Sequence, residues 1–453
     1  MVMKMIRKKE SKEIIKREKQ KIKEAKKKIK REKQERFYNT KLGKVIRKMF
    51  LVKRNNNQEP ITIKEQIVSM IYFEILGFII CLLVFFILSG GKNYIRDYIE
   101  LKKLINVYDA VTTSYYGKID KQAMIDNAIE SMMEEVGDDY TIYTDKKETT
   151  NFLENVDGVY EGIGCTVATN DNGEIYVVSL FNDSPASAAG IQEKDIILKI
   201  DDKDFKEKTS EDMANYIKNS KNNKIKLTIK RGEEEKEITI NRKKVKIPTV
   251  QGKIINRDNK KLGYIQISIF SSQTYEQFRK ELETLEKDKI EGLIIDVRSN
   301  TGGYLTSETD ITSMFLKKGD IIYQLENGKK TEKIKDKTKE SREYPVAVLI
   351  NVASASASEI LASAIKESYK GLIIGTNSYG KGTVQKTKKL SDGTMIKYTI
   401  QKWLTPKGNW INEVGVTPTT FVELKSSTAK DEDPNIDKQL ETAINELIEK
   451  LKS

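Results

Sequence analysis

The chain has 453 residues, room for about two or three domains with cores that exclude water, and a formal charge of +13. Residues 1–66 carry 24 Lys/Arg against 8 Glu, a net +16, which leaves the remainder at −3, so nucleic-acid affinity would rest on the tail alone. The absence of histidine excludes a Ser-His-Asp triad, a Cys-His pair and His-ligated zinc, and leaves acid–base work to Lys, Asp, Glu, Tyr or Cys.

Residues 1–35 alternate Lys/Arg with Glu and hold few large apolar residues, which suits a solvated or partly helical tail. From Ile67 to Leu88 the sequence is apolar with one charge, Glu74, long enough for a transmembrane helix. About 66 residues precede it and no cleavage motif follows, so an uncleaved signal anchor is expected over 67–90. Lys and Arg before the span place residues 1–66 in the cytoplasm and residues 92–453 outside the cell membrane. The two cysteines, Cys81 in the apolar run and Cys165 far downstream, argue against an intrachain disulfide.

Residues 92–150 show helical spacing, with Ile95, Tyr98, Ile99, Leu101, Leu104 and Ile105, then Met124, Ile125, Ala128, Ile129, Met132 and Met133. Two or three helices ending at Gly137 are expected. These helices and an amphipathic C-terminal stretch, Ile436–Leu451 within residues 426–453, could pair subunits into a homo-oligomer or pack within one chain.

Between residues 151 and 246 short strands replace helices: GVYEGIGCTVAT, EIYVVSLF, IILKID, KIKLTIK and KEITINRKK, with one helix over Ser210–Asn219. Gly162, Ile163 and Gly164 open a strand with backbone N–H groups free to accept a peptide carboxylate. Ser184-Pro185-Ala186, Ala189-Gly190-Ile191 and Asp195-Ile196-Ile197 resemble the SPA…AGI…GDxI run of PDZ domains, with Lys194 where glycine is usual. The resemblance implies a PDZ-type β-barrel that binds peptide or protein substrates with apolar C-termini.

Residues 247–425 alternate apolar strands with helical stretches (YEQFRKELETLEK, TSETDITSMFLKK and SEILASAIKES), an α/β core. Strand Val346–Ile350 runs into Asn351-Val352-Ala353-Ser354-Ala355-Ser356-Ala357-Ser358, a small-residue turn that puts Ser356 at a helix N-terminus. By itself such a run also reads as an N-cap. In the second segment, Gly371 to Gln385, glycines flank Lys381 and let the chain pass close to another backbone, and burial would give Lys381 a neutral amine able to activate a serine. Gly375 to Lys381 also spells a phosphate loop, GxxxxGK, but Gly382 stands where a magnesium-binding Ser/Thr is needed and a strand follows.

Together SASASEI and YGKGTVQ resemble the C-terminal processing peptidases, tail-specific serine proteases with a PDZ domain. Asp138-Asp139-Tyr140-Thr141-Ile142-Tyr143 is similar to their DPYTxY, Asp296 to Gly303 to their DLRNNPGG, and Trp403 to Gly408 with Gly415 to Pro418 to the region after the lysine. The resemblance spans roughly Leu104 to Leu424 and implies a multidomain α/β enzyme. Its nucleophile would be Ser356, its general base Lys381 and its lysine-orienting residue Gln385. The N–H of Ala357 and of Gly302 or Gly303 would form the oxyanion hole, and no metal or cofactor is needed. Thr301 replaces the usual proline, which leaves that loop less rigid. The alternative from another class is an inactive membrane-tethered PDZ scaffold.

Overall fold

Val346–Ile350 and Gly292–Asp296 are almost wholly apolar, the pattern of parallel strands covered on both faces. A computed structural model describes residues 20, 21, 23–33, 36, 39, 40, 44, 63–88, 92–328, 330–423 and 437–452. Most of the basic tail and residues 426–436 lie outside that set. The chain divides into two compact units, Met1–Lys121 and Gln122–Ser453.

In the first unit, helix α1 (Ile63–Leu88) contains Met70–Ile87, with a mean hydropathy of 2.7. Among the described residues it is the one helix long and apolar enough to cross a membrane. Helix α2 (Lys92–Ser114) leaves Ile99, Leu101 and Leu104 exposed. Helix α3 (Lys121–Glu134) opens the second unit, so two helices lie between residue 92 and Gly137.

Strand β1 (Ile142–Thr144) and helix α4 (Lys146–Asp157) follow in the second unit, and Asp145 and Glu148 start α4 with a reciprocal capping box. The stretch expected as one strand, GVYEGIGCTVAT, breaks in two. Strand β2 (Val159–Gly162) pairs with β9 (Lys243–Lys246), whereas β3 (Cys165–Thr169) joins another sheet. The break falls at Ile163–Gly164, where Gly164 takes φ 79° and a side chain there would meet Ser184 Cβ at 2.5 Å.

The small barrel is a sheet ordered β3, β4 (Ile175–Leu180), β5 (Ile196–Ile200), β7 (Lys224–Arg231) and β8 (Glu234–Asn241), with β6 (Lys203–Asp204) on β5. Its core holds Ile175, Val177, Ile197, Leu227 and Ile229, closed by Met213 and Ile217 from helix α6 (Ser210–Asn219). The short helix α5 is Pro185–Ala188. Lys194 takes φ 68°, the left-handed conformation that glycine would adopt freely. The neighbouring Asp195 is buried and bound bidentately by Arg231 at 2.7 Å on each oxygen.

The α/β core is a sheet ordered β10 (Val250–Arg257), β11 (Lys260–Ile267), β12 (Gly292–Asp296), β15 (Val346–Ile350), β16 (Leu372–Gly375) and β19 (Thr420–Phe421). It is parallel from β11 onward. Strand β15 sends Val346, Val348 and Ile350 to one face, with helices α7 (Thr274–Lys287), α8 (Leu305–Ser313) and α9 (Ala357–Ala364). It sends Ala347 and Leu349 to the other, where Ala443, Ile444, Leu447 and Ile448 of α10 (Lys438–Lys452) cover them. Helix α9 runs into a π turn at Ile365–Tyr369. An antiparallel sheet adds β1, β17 (Thr383–Lys389), β18 (Met395–Leu404), β13 (Ile321–Asn327) and β14 (Lys330–Lys335).

Candidate active site

Three loops leave the C-terminal ends of β12, β15 and β16, the end of a parallel sheet where sites form. Hydrogen bonds stitch the first two: Ser354 Oγ donates to Val297 O at 2.8 Å, Ala355 N to Asn300 O at 3.0 Å, and Ser358 Oγ to Asn300 O at 2.8 Å. The third is tied on by Tyr379 N, which donates to Ser354 O at 3.0 Å.

Ser356 is half-buried at the N-cap of α9 with φ 55° and ψ −114°, a conformation that costs a serine on the order of 1–3 kcal/mol and persists only where its surroundings impose it. Glu359 imposes it. This fully buried carboxylate accepts from Ser356 N at 2.7 Å, Lys381 N at 2.9 Å, Gly380 N at 2.7 Å and Ser378 Oγ at 2.6 Å. Burial raises its carboxyl above the ordinary range while these four bonds oppose the rise; every one is donated to it, and only the ionised form accepts them all. One side chain therefore holds the backbones of Ser356 and Lys381 together.

Gly302 closes the site from the first loop. A Cβ there would lie 2.7 Å from Ala355 O, 2.8 Å from Ser356 Cβ and 3.0 Å from Ala357 N, and its φ is 100°. Gly302 N is already spent on Asn300 Oδ1 at 2.8 Å. Among the described residues no hydrogen bond leaves the N–H of Ala357 or of the more exposed Gly303.

Lys381 is half-buried, its Nζ 4.6 Å from the centre of the Tyr140 ring, and its carbonyl accepts from Trp403 Nε1 at 2.7 Å. Burial first, then the like charge of Lys397, lowers its ammonium to about 8 against the opposing pull of Glu359 and Asp138. No hydrogen bond joins Ser356 Oγ to Lys381 Nζ. Gln385 lies on β17 and gives its amide to Thr383 Oγ1 at 2.9 Å and Thr399 Oγ1 at 3.2 Å.

Gly162, Ile163 and Gly164 are buried, and the first two line a groove of about 350 Å³ between β3 and α6, with Val167 and Met213 on its walls. β3 is an edge strand, so its outer backbone faces this groove. Lys147, Asn151 and Glu154 of α4 supply a third wall, and Lys218 Nζ bonds Glu154 Oε2 at 2.7 Å and Asn151 Oδ1 at 2.8 Å.

Sequence reasoning passed over Glu359, although Ser356-x-x-Glu359 has the spacing of a capping box. It also passed over Lys397, which no local pattern marks.

The sequence profile of Peptidase family S41 matches residues 261–422, that of the PDZ domain residues 161–241, and that of the activating protease CtpB N-terminal domain residues 89–149. The chain is 38% identical over 327 residues to the carboxy-terminal processing protease CtpB of Bacillus subtilis (strain 168), covering 71% of this chain and 68% of that one. It is 35% identical over 330 residues to a probable CtpA-like serine protease of Staphylococcus aureus (strain MSSA476), covering 72% of this chain and 66% of that one, so it spans just under two thirds of the staphylococcal protein. A solved photosystem II D1 C-terminal processing protease is 25% identical with a TM-score of 0.42, covering 69% of this chain and 85% of that one. The match to the Bacillus protein over two thirds of both chains, with the three profiles in order, carries the assignment: the chain belongs to peptidase family S41, among the C-terminal processing serine proteases with a PDZ domain.

Proposed function

We propose that this chain is a membrane-anchored serine endopeptidase working through Ser356 and Lys381 on extracytoplasmic proteins near their C-termini. The single observation that carries this reading is Glu359, which binds the Ser356 and Lys381 backbones at once and leaves the lysine amine in a desolvated pocket. Neutral Lys381 takes the Ser356 proton, the alkoxide attacks the peptide carbonyl, and an acyl-enzyme forms before water releases it. The N–H groups of Ala357 and Gly303 receive the oxyanion, since Gly302 N is engaged by Asn300. Such sites often tighten only around substrate, so the Ser356–Lys381 hydrogen bond forms in the complex; Gln385 then orients the lysine from the Thr383–Thr399 cradle.

Substrate tails add as a strand along the free edge of β3, with the carboxylate on the N–H groups of the Gly162–Gly164 loop and an apolar terminal side chain against Val167 and Met213. The apolar span Met70–Ile87 supports the anchor, and the basic residues before it support a cytoplasmic N-terminus. We divide the chain into a tail (1–66), an anchor (67–90), a helical segment (92–150), a PDZ domain (151–246), a peptidase core (247–425) and a C-terminal helix (426–453). The exposed apolar residues of α2 are where a homo-oligomer would form.

The test incubates the full-length chain, held in detergent, with an unfolded protein that ends in apolar residues, beside Ser356→Ala and Lys381→Ala. Cleavage by the wild type and none by either variant is expected. Cleavage that survives Lys381→Ala would remove the dyad, and equal inactivity of all three chains would favour the scaffold.

A further inference from the structure

Two lysines, not one, face the chemistry. Strands β17 and β18 pair Gln385 with Thr399 and Thr387 with Lys397, so Gln385, Thr399 and Lys397 share one face of the antiparallel sheet. Gln385 spans that face to Thr399 Oγ1. Over it lies the segment Asp138–Thr141, anchored because Thr399 N donates to Thr141 Oγ1 at 3.2 Å and because Ile142 pairs with Lys397. Lys381 Nζ sits over the Tyr140 ring, and Lys397 Nζ is 5.7 Å from the centre of the Phe152 ring. Among the described residues neither lysine is in an ion pair. The carboxylates near them are committed elsewhere: Asp138 Oδ2 accepts from Thr141 Oγ1 at 2.6 Å and Oδ1 from Tyr140 N at 3.3 Å, and Glu359 holds its four donors.

Two half-buried ammonium groups whose nearby carboxylates, Asp138 and Glu359, are spent on other donors cannot both keep their protons at little cost, and one must yield. Lys381, enclosed by Tyr140 and the Glu359-bound loop, is the one placed to act on Ser356. We propose that Lys397 is a positioning residue for the reaction: its ammonium, on the strand that pairs with β1 below the Asp138–Thr141 segment, keeps Lys381 in the neutral, proton-accepting form. The inference rests on the reading of Lys381 as general base. Burial lowers both lysines, and Asp138 pulls each the other way. The other titratable groups facing the cluster are Tyr140, which burial and Tyr379 raise, and Glu359. A cationic neighbour that lowers an amine's proton affinity is an established way to leave a lysine neutral and reactive near neutral pH.

The test is the pH dependence of kcat/KM for the full-length chain and three variants, with Lys381→Ala as control. Lys397→Gln should move the acid limb to higher pH by about one unit, so that activity below the limb falls roughly tenfold. Lys397→Glu should move it further in the same direction, and Lys397→Arg should return it to the wild-type position. An unmoved limb in Lys397→Gln while Lys381→Ala is inactive, or a uniform loss at every pH that Arg does not repair, overturns the proposal and leaves the dyad standing. An active Lys381→Ala would instead overturn the dyad. Where the substitutions unfold the chain, lysine-labelled wild type is followed by NMR. Lys381 must lose its proton before Lys397, and the reverse order overturns the proposal.

Discussion

The peptidase cleft and the PDZ groove are built on opposite uses of the backbone. Around Ser356 nearly every nearby donor is committed: Glu359 takes four, Asn300 Oδ1 takes Gly302 N, and Asn300 O takes Ala355 N and Ser358 Oγ. What is left over, the N–H of Ala357 and Gly303, is what an oxyanion needs. Along the groove the reverse holds, because the outer edge of β3 is unpaired and faces apolar Val167, Met213 and Ile217, with Lys218 clasped to Glu154 and Asn151 at the rim. Chemistry calls for atoms fixed before substrate arrives, whereas recognition of a tail calls for a strand's worth of unsatisfied backbone.

The largest effect that would break this contrast is expected at Glu359. Glu359→Gln places an amide against donors that need an acceptor, and should cost about 2–4 kcal/mol of stability and at least a hundredfold in kcat, read by thermal unfolding and single-turnover cleavage. Full activity in that variant would mean that Ser356 and Lys381 are held by something else. Gly302→Ala comes next. With contacts below 3 Å to the Ser356 turn it should lower kcat roughly a hundredfold, while Gly173→Ala, open on all sides, should leave kcat near wild type.

The pH profile sharpens the cleft's side of the comparison. Lys381 must be neutral to act, and its ammonium is held down to about 8, so kcat/KM should rise about tenfold per pH unit below that point and level off above it. The sign for stability is the same. A lysine depressed in the folded state binds fewer protons than in the unfolded chain, so its contribution improves as pH rises from about 8 toward the ordinary lysine range. The smallest effect belongs to the groove: Gly164→Ala, crowding Ser184, should raise KM several-fold for substrates with apolar tails and change kcat little. A fall in kcat instead would show that the groove governs the chemistry.

Much of this was legible along the chain because the signals are local. Helix α6 occupies Ser210–Asn219 as its apolar spacing and the Thr209–Asp212 capping box dictate. The apolar run of β15 could be read directly. The hairpin of β13 and β14 was not foreseen, since its outer strand is mostly Lys, Thr and Glu and shows no apolar alternation. In the PDZ region one expected strand became two because Gly164 leaves the extended conformation between them. The helix expected over residues 306–318 ends as α8 at Ser313, and Met314, Phe315 and Leu316 turn into the core beyond it.

The sequence alone determined which chemistry was open. Without histidine a serine turn needs another base, and the spacing of small residues around Ser356 and Lys381 named the candidates. Only the tertiary structure decided how those residues are held. Glu359 meets Gly380 and Lys381 across some twenty residues, and the turn that carries Asp138 is tied to the strand that carries Lys397, more than 250 residues away. Spacing along the chain is set by local backbone geometry, but burial and the electrostatics that follow from it depend on which distant segments arrive together.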